Sequence, residues 1–233
     1  MAHSELREQV LSANLEIVRA GLVVLTFGNV SGADRAAGVM AIKPSGVPYA
    51  ELDAEGIVVL DLETGAVVAG EARPSSDTPT HLVLYRAFAG VAGIVHTHSP
   101  YATAWAQAGR ELPCYGTTHA DHFGGAVPVT RSLARAEIEG DYERLTGEVI
   151  VETFSELGLD PAAVPAALVS SHGPFVWGSD AAEAVENAVA LEAVAASALR
   201  TEALRPDAVP LGEALRRRHF ERKHGSHAYY GQP

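Results

Sequence analysis

The sequence predicts an α/β domain built around a largely antiparallel sheet. Strand-length apolar runs alternate with amphipathic helical stretches along the whole chain, and several strand pairs are joined by hairpin-type turns. No repeat, low-complexity tract or linker divides the 233 residues, so the expectation is one domain, 1–233, long enough to bury a core without cross-links.

The first helix is expected from Ser4 to about Ala20, because Leu6, Val10, Ala13 and Ile17 share one face and Gly21 stops it. Leu22–Phe27 reads as a strand ending in a tight polar loop, Gly28-Asn29-Val30-Ser31-Gly32. A short strand, Val39–Ile42, runs into Lys43-Pro44-Ser45-Gly46. Ile57–Leu60 and Ala66–Val68 flank Glu63-Thr64-Gly65 as a hairpin. A second helix opens after Pro74-Ser75-Ser76-Asp77, with Thr78 as N-cap and Pro79 in the first helical position, and continues through Leu82, Tyr85 and Phe88. The apolar run Val91–Val95 reads as a strand delivering His96 and His98. Pro100–Ala108 is a helix closed by Gly109. Thr117–Gly125 has no helical or strand period and reads as a loop, and Ala136–Glu139 sits near a turn at Gly140-Asp141. Val149–Glu156 fits strand or helix equally. Ala167–Ser170 and Phe175–Trp177 are strands separated by the turn Ser171-His172-Gly173-Pro174. Asp180 to about Thr201 is a long helix with an Asp180/Glu183 capping box, and Leu211–His224 is the last helix before a short tail.

Composition narrows the partners. The formal charge is 17 − 29 = −12, which offers no broad basic footprint for nucleic acid. Cys114 is the only cysteine, so no internal disulfide forms and a reducing compartment is expected. The start of the chain, Met1-Ala2-His3-Ser4, lacks the basic and apolar pattern of a signal peptide, and no apolar run approaches the ~20 residues that span a bilayer. The expectation is a cytoplasmic protein with neither a nucleic-acid nor a membrane partner.

Histidines carry the strongest chemical signal. Side chains alternate along a strand, so His96 and His98 point the same way. His172 leaves a third apolar strand at a sharp turn. Three imidazoles with an open coordination position are the donor set of a catalytic metal, and Asp77 is a candidate fourth ligand. The set suits Zn2+, Mn2+ or Co2+ alike. Three small-residue loops, Gly28-Asn29, Ser45-Gly46 and Ser75-Ser76, are candidate anion sites. The last precedes a helix N-terminus, and Lys43 can supply a cation. Asp121 lies in a polar, glycine-flanked stretch of the kind that carries catalysis, and the paired Tyr229-Tyr230 near the end of the tail suggests docking or proton transfer. Gly90 with His96 and His98 imitates a cupin start, but Ala102 and Thr103 stand where that motif needs its Glu. No His-Glu-x-x-His helix marks a zinc hydrolase of that type.

Seven segments together closely resemble the class II aldolase/epimerase family, in its branch that epimerises ketopentose phosphates. They are Thr26–Ser31, Ile42–Val47, Pro74–His81, Gly93–Ser99, Gly116–Asp121, Ser171–Phe175 and Arg222–Gly225 through Tyr229–Gln232, in the family's order across nearly the whole chain. The resemblance implies a three-layer α/β/α sandwich around a mainly antiparallel central sheet, assembled as a homotetramer with active sites between subunits. It implies zinc or another divalent ion on His96, His98 and His172, with Asp77 near or on the metal. It implies phosphate binding by Gly28, Asn29, Ser45, Gly46, Ser75 and Ser76 with Lys43 nearby. Asp121 and Tyr230 match the family's acid/base pair, Tyr230 coming from the adjacent subunit, and Thr117, Glu143 and His219 match further residues at that boundary. Two positions depart from the family pattern: His122 stands where a Tyr is expected, and Phe27 replaces a Trp.

The implied reaction interconverts L-ribulose 5-phosphate and D-xylulose 5-phosphate in L-arabinose breakdown. The inverted carbon, C4, is not acidic, so simple deprotonation cannot serve. Retro-aldol cleavage of C3–C4, rotation of the tethered aldehyde and re-addition can, with the metal as Lewis acid and the phosphate loops preventing escape. Within the family, an aldolase is the rival reading. The resemblance gives such aldolases a Glu where Asp77 stands. A non-catalytic, metal-dependent sugar-phosphate binder is the alternative outside enzymes.

Overall fold

The computed structural model of the chain describes residues 2–231. Met1, Gln232 and Pro233 lie outside them, and with them the last residue of the tail motif. Seven strands form one sheet in the order β4-β3-β2-β1-β5-β7-β6, and every neighbouring pair is antiparallel. They are β1 (Asn29–Asp34), β2 (Val39–Ile42), β3 (Val58–Asp61), β4 (Val67–Ala69), β5 (Gly93–His96), β6 (Ala166–Val169) and β7 (Gly173–Gly178). The helices are α1 (Ser4–Arg19), α2 (Thr78–Ala87), α3 (Pro100–Gln107), α4 (Thr117–His122), α5 (Arg135–Ile138), α6 (Tyr142–Leu157), α7 (Ala181–Leu204) and α8 (Glu213–His224).

Strand alternation explains the layering. In β1, Gly32 faces α1 and α7: a Cβ there would lie 3.0 Å from Val10 and 3.6 Å from Ala181. The adjacent Ser31 faces the other way, onto His81 and Tyr85 of α2. On that second face Trp177 of β7 packs against Phe88 after α2 and Phe154 of α6, with ring centroids 5.2 Å apart in both pairs. Helices therefore cover both faces of an antiparallel sheet, the α/β/α arrangement expected. Close approach governs the α7 side, where a Cβ on Gly93 would lie 2.0 Å from the Asp180 carbonyl oxygen, so only glycine fits.

The long helices, the β3–β4 hairpin and the β6–β7 turn fall where the sequence places them. Asp180 caps α7, accepting the Glu183 N–H at 2.8 Å, while the Glu183 carboxylate reaches Ser179 rather than closing the full box. Three expectations change, and the segment that fitted strand or helix equally is helical. Leu22–Phe27 is not a strand: Leu25 takes φ +56°, and Val24, Leu25 and Phe27 are exposed. The supposed polar loop after it begins β1, a central strand. The Thr117–His122 stretch is helical, as α4. Val149–Glu156 is the second half of α6. Among the described residues no helix is long and apolar enough to cross a membrane.

Candidate active site and metal centre

Three neighbouring strands converge on one end of the sheet. Asn29 begins β1, His96 ends β5 and Phe175 lies early in β7. They pair directly, Asn29 with His96 and His96 with Phe175, so their side chains share the α2 face. β5 stops at His96, and His98 stands two residues beyond it, exposed at the rim. The two rings still meet, with Nε2 to Nε2 at 3.2 Å. His172 enters from the β6–β7 turn, whose Ser171 takes φ +61°, and its ring lies 4.8 Å from that of His96 and 4.9 Å from that of His98. One ligand atom from each of the three residues lies within 4.8 Å of the others, so the cluster could hold a metal ion.

The donor chemistry fits a divalent ion. His96 Nδ1–H donates to the Pro174 carbonyl at 2.9 Å, which fixes the tautomer and leaves Nε2 as a free lone pair. The ring also stacks on Phe175 at 4.1 Å. Burial pushes His172 down to about 4, helped by its two imidazole neighbours, and lowers His98 in the same way. Both rings are therefore neutral at pH 7, the ligating form. Tyr142, at the start of α6, lies with its hydroxyl 3.4 Å from His172 Nδ1. Sequence reasoning missed this residue; its only signal was its place beside the Gly140-Asp141 turn.

Asp77 occupies the N-cap position of α2, one residue earlier than the Thr78 cap expected. Its Oδ2 accepts from Asn29 Nδ2 at 2.6 Å. Burial works to raise the carboxyl, but the His96 and His81 imidazoles and the Asn29 amide outweigh it and hold Asp77 below the ordinary carboxylate range.

Two of the anion-loop candidates touch Asp77, through Asn29 and through Ser75 Oγ, which accepts the Asp77 N–H at 3.3 Å, and the third is bridged to the Ser75 loop. Gly28 has φ +92°, and a Cβ there would lie 2.7 Å from the His96 carbonyl oxygen, so the loop can touch the metal-binding strand only with glycine in place. Tyr49 Oη donates to the Gly28 carbonyl at 2.8 Å. Loops 43–46 and 73–75 are bridged through Pro44 and Pro74, with Ser45 N–H donating to Arg73 O and Ser75 N–H to Lys43 O. Lys43 is buried; its ammonium donates to Val47 O at 2.7 Å and sits 4.8 Å from the centre of the Tyr49 ring, and burial lowers its pKa. Ser75, Ser76 and Glu143 line a common cleft of about 570 Å3.

Asp121 and its companions form a second cluster. Arg222 of α8 grips the Asp121 carboxylate with two bonds, 2.9 and 2.7 Å, and His219 adds a third at 3.1 Å. Burial alone would raise this carboxyl, yet the Arg222 guanidinium and His219 hold it low. The Tyr230 ring lies 4.0 Å from the same guanidinium. Arg222 thus joins Asp121 to Tyr230 within one chain; its only sequence signal was a place in the quoted tail motif. Thr117, four residues before Asp121, lies on the same face of α4. His122 lines a cavity with Gly178 and Ser179 at the C-terminal end of β7, whereas His172 precedes the N-terminal end. At about 3.3 Å per residue, this strand puts roughly 17 Å between its two ends.

Fold and site together define an α/β/α protein whose three-histidine cluster could hold a metal ion. Residues 8–199 match the family described as Class II Aldolase and Adducin N-terminal domain, and the chain belongs to that family. It is 50% identical over 228 residues to the L-ribulose-5-phosphate 4-epimerase UlaF of Salmonella paratyphi A (strain ATCC 9150 / SARB42) and to that of Salmonella typhi, covering 98% of this chain and 99% of theirs. Among solved structures it is similar to an L-fuculose 1-phosphate aldolase, with TM-score 0.80 at 26% identity over 95% of this chain and 97% of that one. The L-fuculose 1-phosphate aldolase from Glaciozyma antarctica PI12 shares the fold, with TM-score 0.73 at 18% identity over 94% of this chain and 81% of that one.

Proposed function

We propose that this chain is an L-ribulose-5-phosphate 4-epimerase, an isomerase that interconverts L-ribulose 5-phosphate and D-xylulose 5-phosphate. One observation carries the reading: His96, His98 and His172 bring ligand atoms within 4.8 Å of one another at the strand end where Asn29 holds the ionised Asp77. The near full-length identity to the Salmonella epimerases supports it.

His96, His98 and His172 would hold a divalent ion, with Asp77 beside or on it. When bound, Zn2+, Mn2+ or Co2+ supplies Lewis acidity for the negative charge that develops on substrate oxygens as C3–C4 breaks. The rest falls to the protein. The N–H groups of Ser45 and Ser75 brace the two loops against each other, so Gly28, Asn29, Ser45, Gly46, Ser75 and Ser76 would meet the phosphate through the serine hydroxyls, the second Asn29 amide proton and the N–H groups of Gly28, Gly46 and Ser76, with the Lys43 cation behind them. That grip keeps the aldehyde half in place while it turns, so re-addition outpaces escape. Asp121 and Tyr230 take up and return the C4 hydroxyl proton on the two faces of the aldehyde, with Asp121 kept ionised by Arg222 and His219. Thr117, Glu143 and His219 would line the same substrate space.

We further propose a homotetramer in which the Asp121–Tyr230 cluster of one copy serves the histidines of another. The separation of the two clusters along β7 within one chain supports this. The setting we propose is one cytoplasmic domain acting in pentose breakdown of the L-arabinose type. The resemblance to an L-fuculose 1-phosphate aldolase keeps one second reading, aldol cleavage with release of both halves. NMR of the metal-loaded protein with L-ribulose 5-phosphate separates the two. Appearance of D-xylulose 5-phosphate supports the epimerase, net accumulation of free aldehyde supports the aldolase, and absence of turnover refutes both.

A further inference from the structure

Beneath the metal centre lies a buried polar chain that the proposed mechanism does not use. Ser31 of β1 and His81 and Tyr85 of α2 are all essentially inaccessible to solvent. Ser31 Oγ lies 2.7 Å from His81 Nδ1 and 2.7 Å from Tyr85 Oη. His81 Nε2 is buried with no hydrogen-bond partner. A buried polar atom without a partner is destabilising, so its position calls for a physical reason.

Counting protons along the chain assigns the tautomer. Tyr85 Oη has Ser31 Oγ as its one partner among the described residues, so the phenol proton is satisfied only by donation to Ser31. The Ser31 proton is then free to point at His81 Nδ1, which accepts it. Burial holds His81 down to about 3, so the ring is neutral and carries one proton, and that proton is left on Nε2. Each order leaves one unpaired donor, the Nε2–H here and the phenol proton in the reverse order, but the reverse order also leaves the Nε2 lone pair buried without a donor, on the helix face it shares with the Asp77 anion. His81 is four residues after Asp77, and helical side chains lean toward the N-terminus, so the two share one helix face with no hydrogen bond between their side chains.

We propose that His81 is a positioning residue for Asp77. The Tyr85–Ser31–His81 chain locks its imidazole as the Nε2–H tautomer, so that it presents an N–H rather than a lone pair to the carboxylate. Two consequences follow. The N–H dipole orients the Asp77 side chain on the helix face it shares with His81. The same proton bars His81 from ligating, which limits the donor set to three histidines although a fourth ring lies nearby. This rests on the metal-centre reading and is independent of which sugar phosphate binds.

The direct test is long-range 1H–15N NMR of the histidine rings in the wild-type, metal-free protein, with His81 assigned from a H81Q comparison. A protonated Nε2 and an unprotonated Nδ1 are expected; an unprotonated Nε2 overturns the proposal. A second test uses cobalt(II) binding, read by dissociation constant and visible spectrum. His81→Gln, whose amide nitrogen can stand near Nε2, should keep the cobalt affinity within about threefold. His81→Asn, which reaches only the Nδ1 position, should weaken it about tenfold or more. In an Asp77→Asn background the same His81→Asn change should have no further effect. Equal losses in both backgrounds, or equal losses for Gln and Asn, would show a merely structural role. Neither test involves substrate turnover, so failure here is distinguishable from failure of the epimerase assignment.

Discussion

The two ends of β7 hold two different kinds of site. At the N-terminal end, His96 and His172 sit on or beside paired central strands, with the His96 ring fixed by stacking on Phe175 and by the Pro174 carbonyl. Near the C-terminal end, Asp121 stands on a six-residue helix and is held by α8, which carries no buried residue and places five cationic side chains against two acidic ones in an otherwise acidic chain. The first end is built on a rigid scaffold, as metal ligation requires. The second is a charged cluster held by an outer helix. The difference teaches that one chain can keep a rigid imidazole cluster and a charged carboxylate cluster apart, at opposite ends of one strand.

The largest expected effect comes from the rigid end. His96→Asn removes the best-oriented ligand and should lower epimerase turnover on the order of 10³-fold, with loss of bound metal measured by elemental analysis. Retained metal with full activity would break the assignment of that end. Asp121→Asn should lower kcat about 10²–10³-fold while metal content stays at the wild-type level, the size typical of a lost acid/base group. Metal loss in this variant would mean that the two ends are not separate.

A smaller effect concerns stability. Asp121 is held below its unfolded value of about 3.9, so its stabilisation is complete above that value and is lost as pH falls through the folded one. The unfolding free-energy gap between wild type and Asp121→Asn, about 1 kcal/mol for a partly exposed pair, should be constant from about pH 5 to 8 and close below about pH 4. Denaturant titrations at several pH values measure it. The smallest effect belongs to Tyr142→Phe. A single long hydrogen bond to His172 should change kcat by about two- to threefold and leave the fold unchanged.

Legibility in the sequence followed the same division. His96, His98 and His172 were visible because imidazoles leaving apolar strands are chemically conspicuous, even though β5 ends before His98. Central strand β1 was not visible. Asn29-Val30-Ser31-Gly32-Ala33-Asp34 has little strand propensity, and its small residues are there to admit helices on both faces, which is a tertiary requirement. Leu22–Phe27 misled in the opposite sense, since apolar character without burial does not make a strand. Helix α4 is too short for a period to emerge, so Asp121 was read in a loop. Its Arg222 clamp lies 101 residues away, a contact that no local pattern encodes. The Asp121 and Tyr230 roles came from family resemblance, because a solvated aspartate and a terminal tyrosine look ordinary in isolation.

The central claim is that the histidine end of one copy works with the α4–α8 end of another. Mixing the inactive His96→Asn and Asp121→Asn variants, unfolding and refolding them together, and assaying conversion of L-ribulose 5-phosphate tests it directly. With equal amounts and random assembly, about a quarter of the intersubunit sites pair two intact halves, so activity should return toward that fraction of wild type. Mixed oligomers, verified by differently tagged subunits, that remain inactive would contradict the claim.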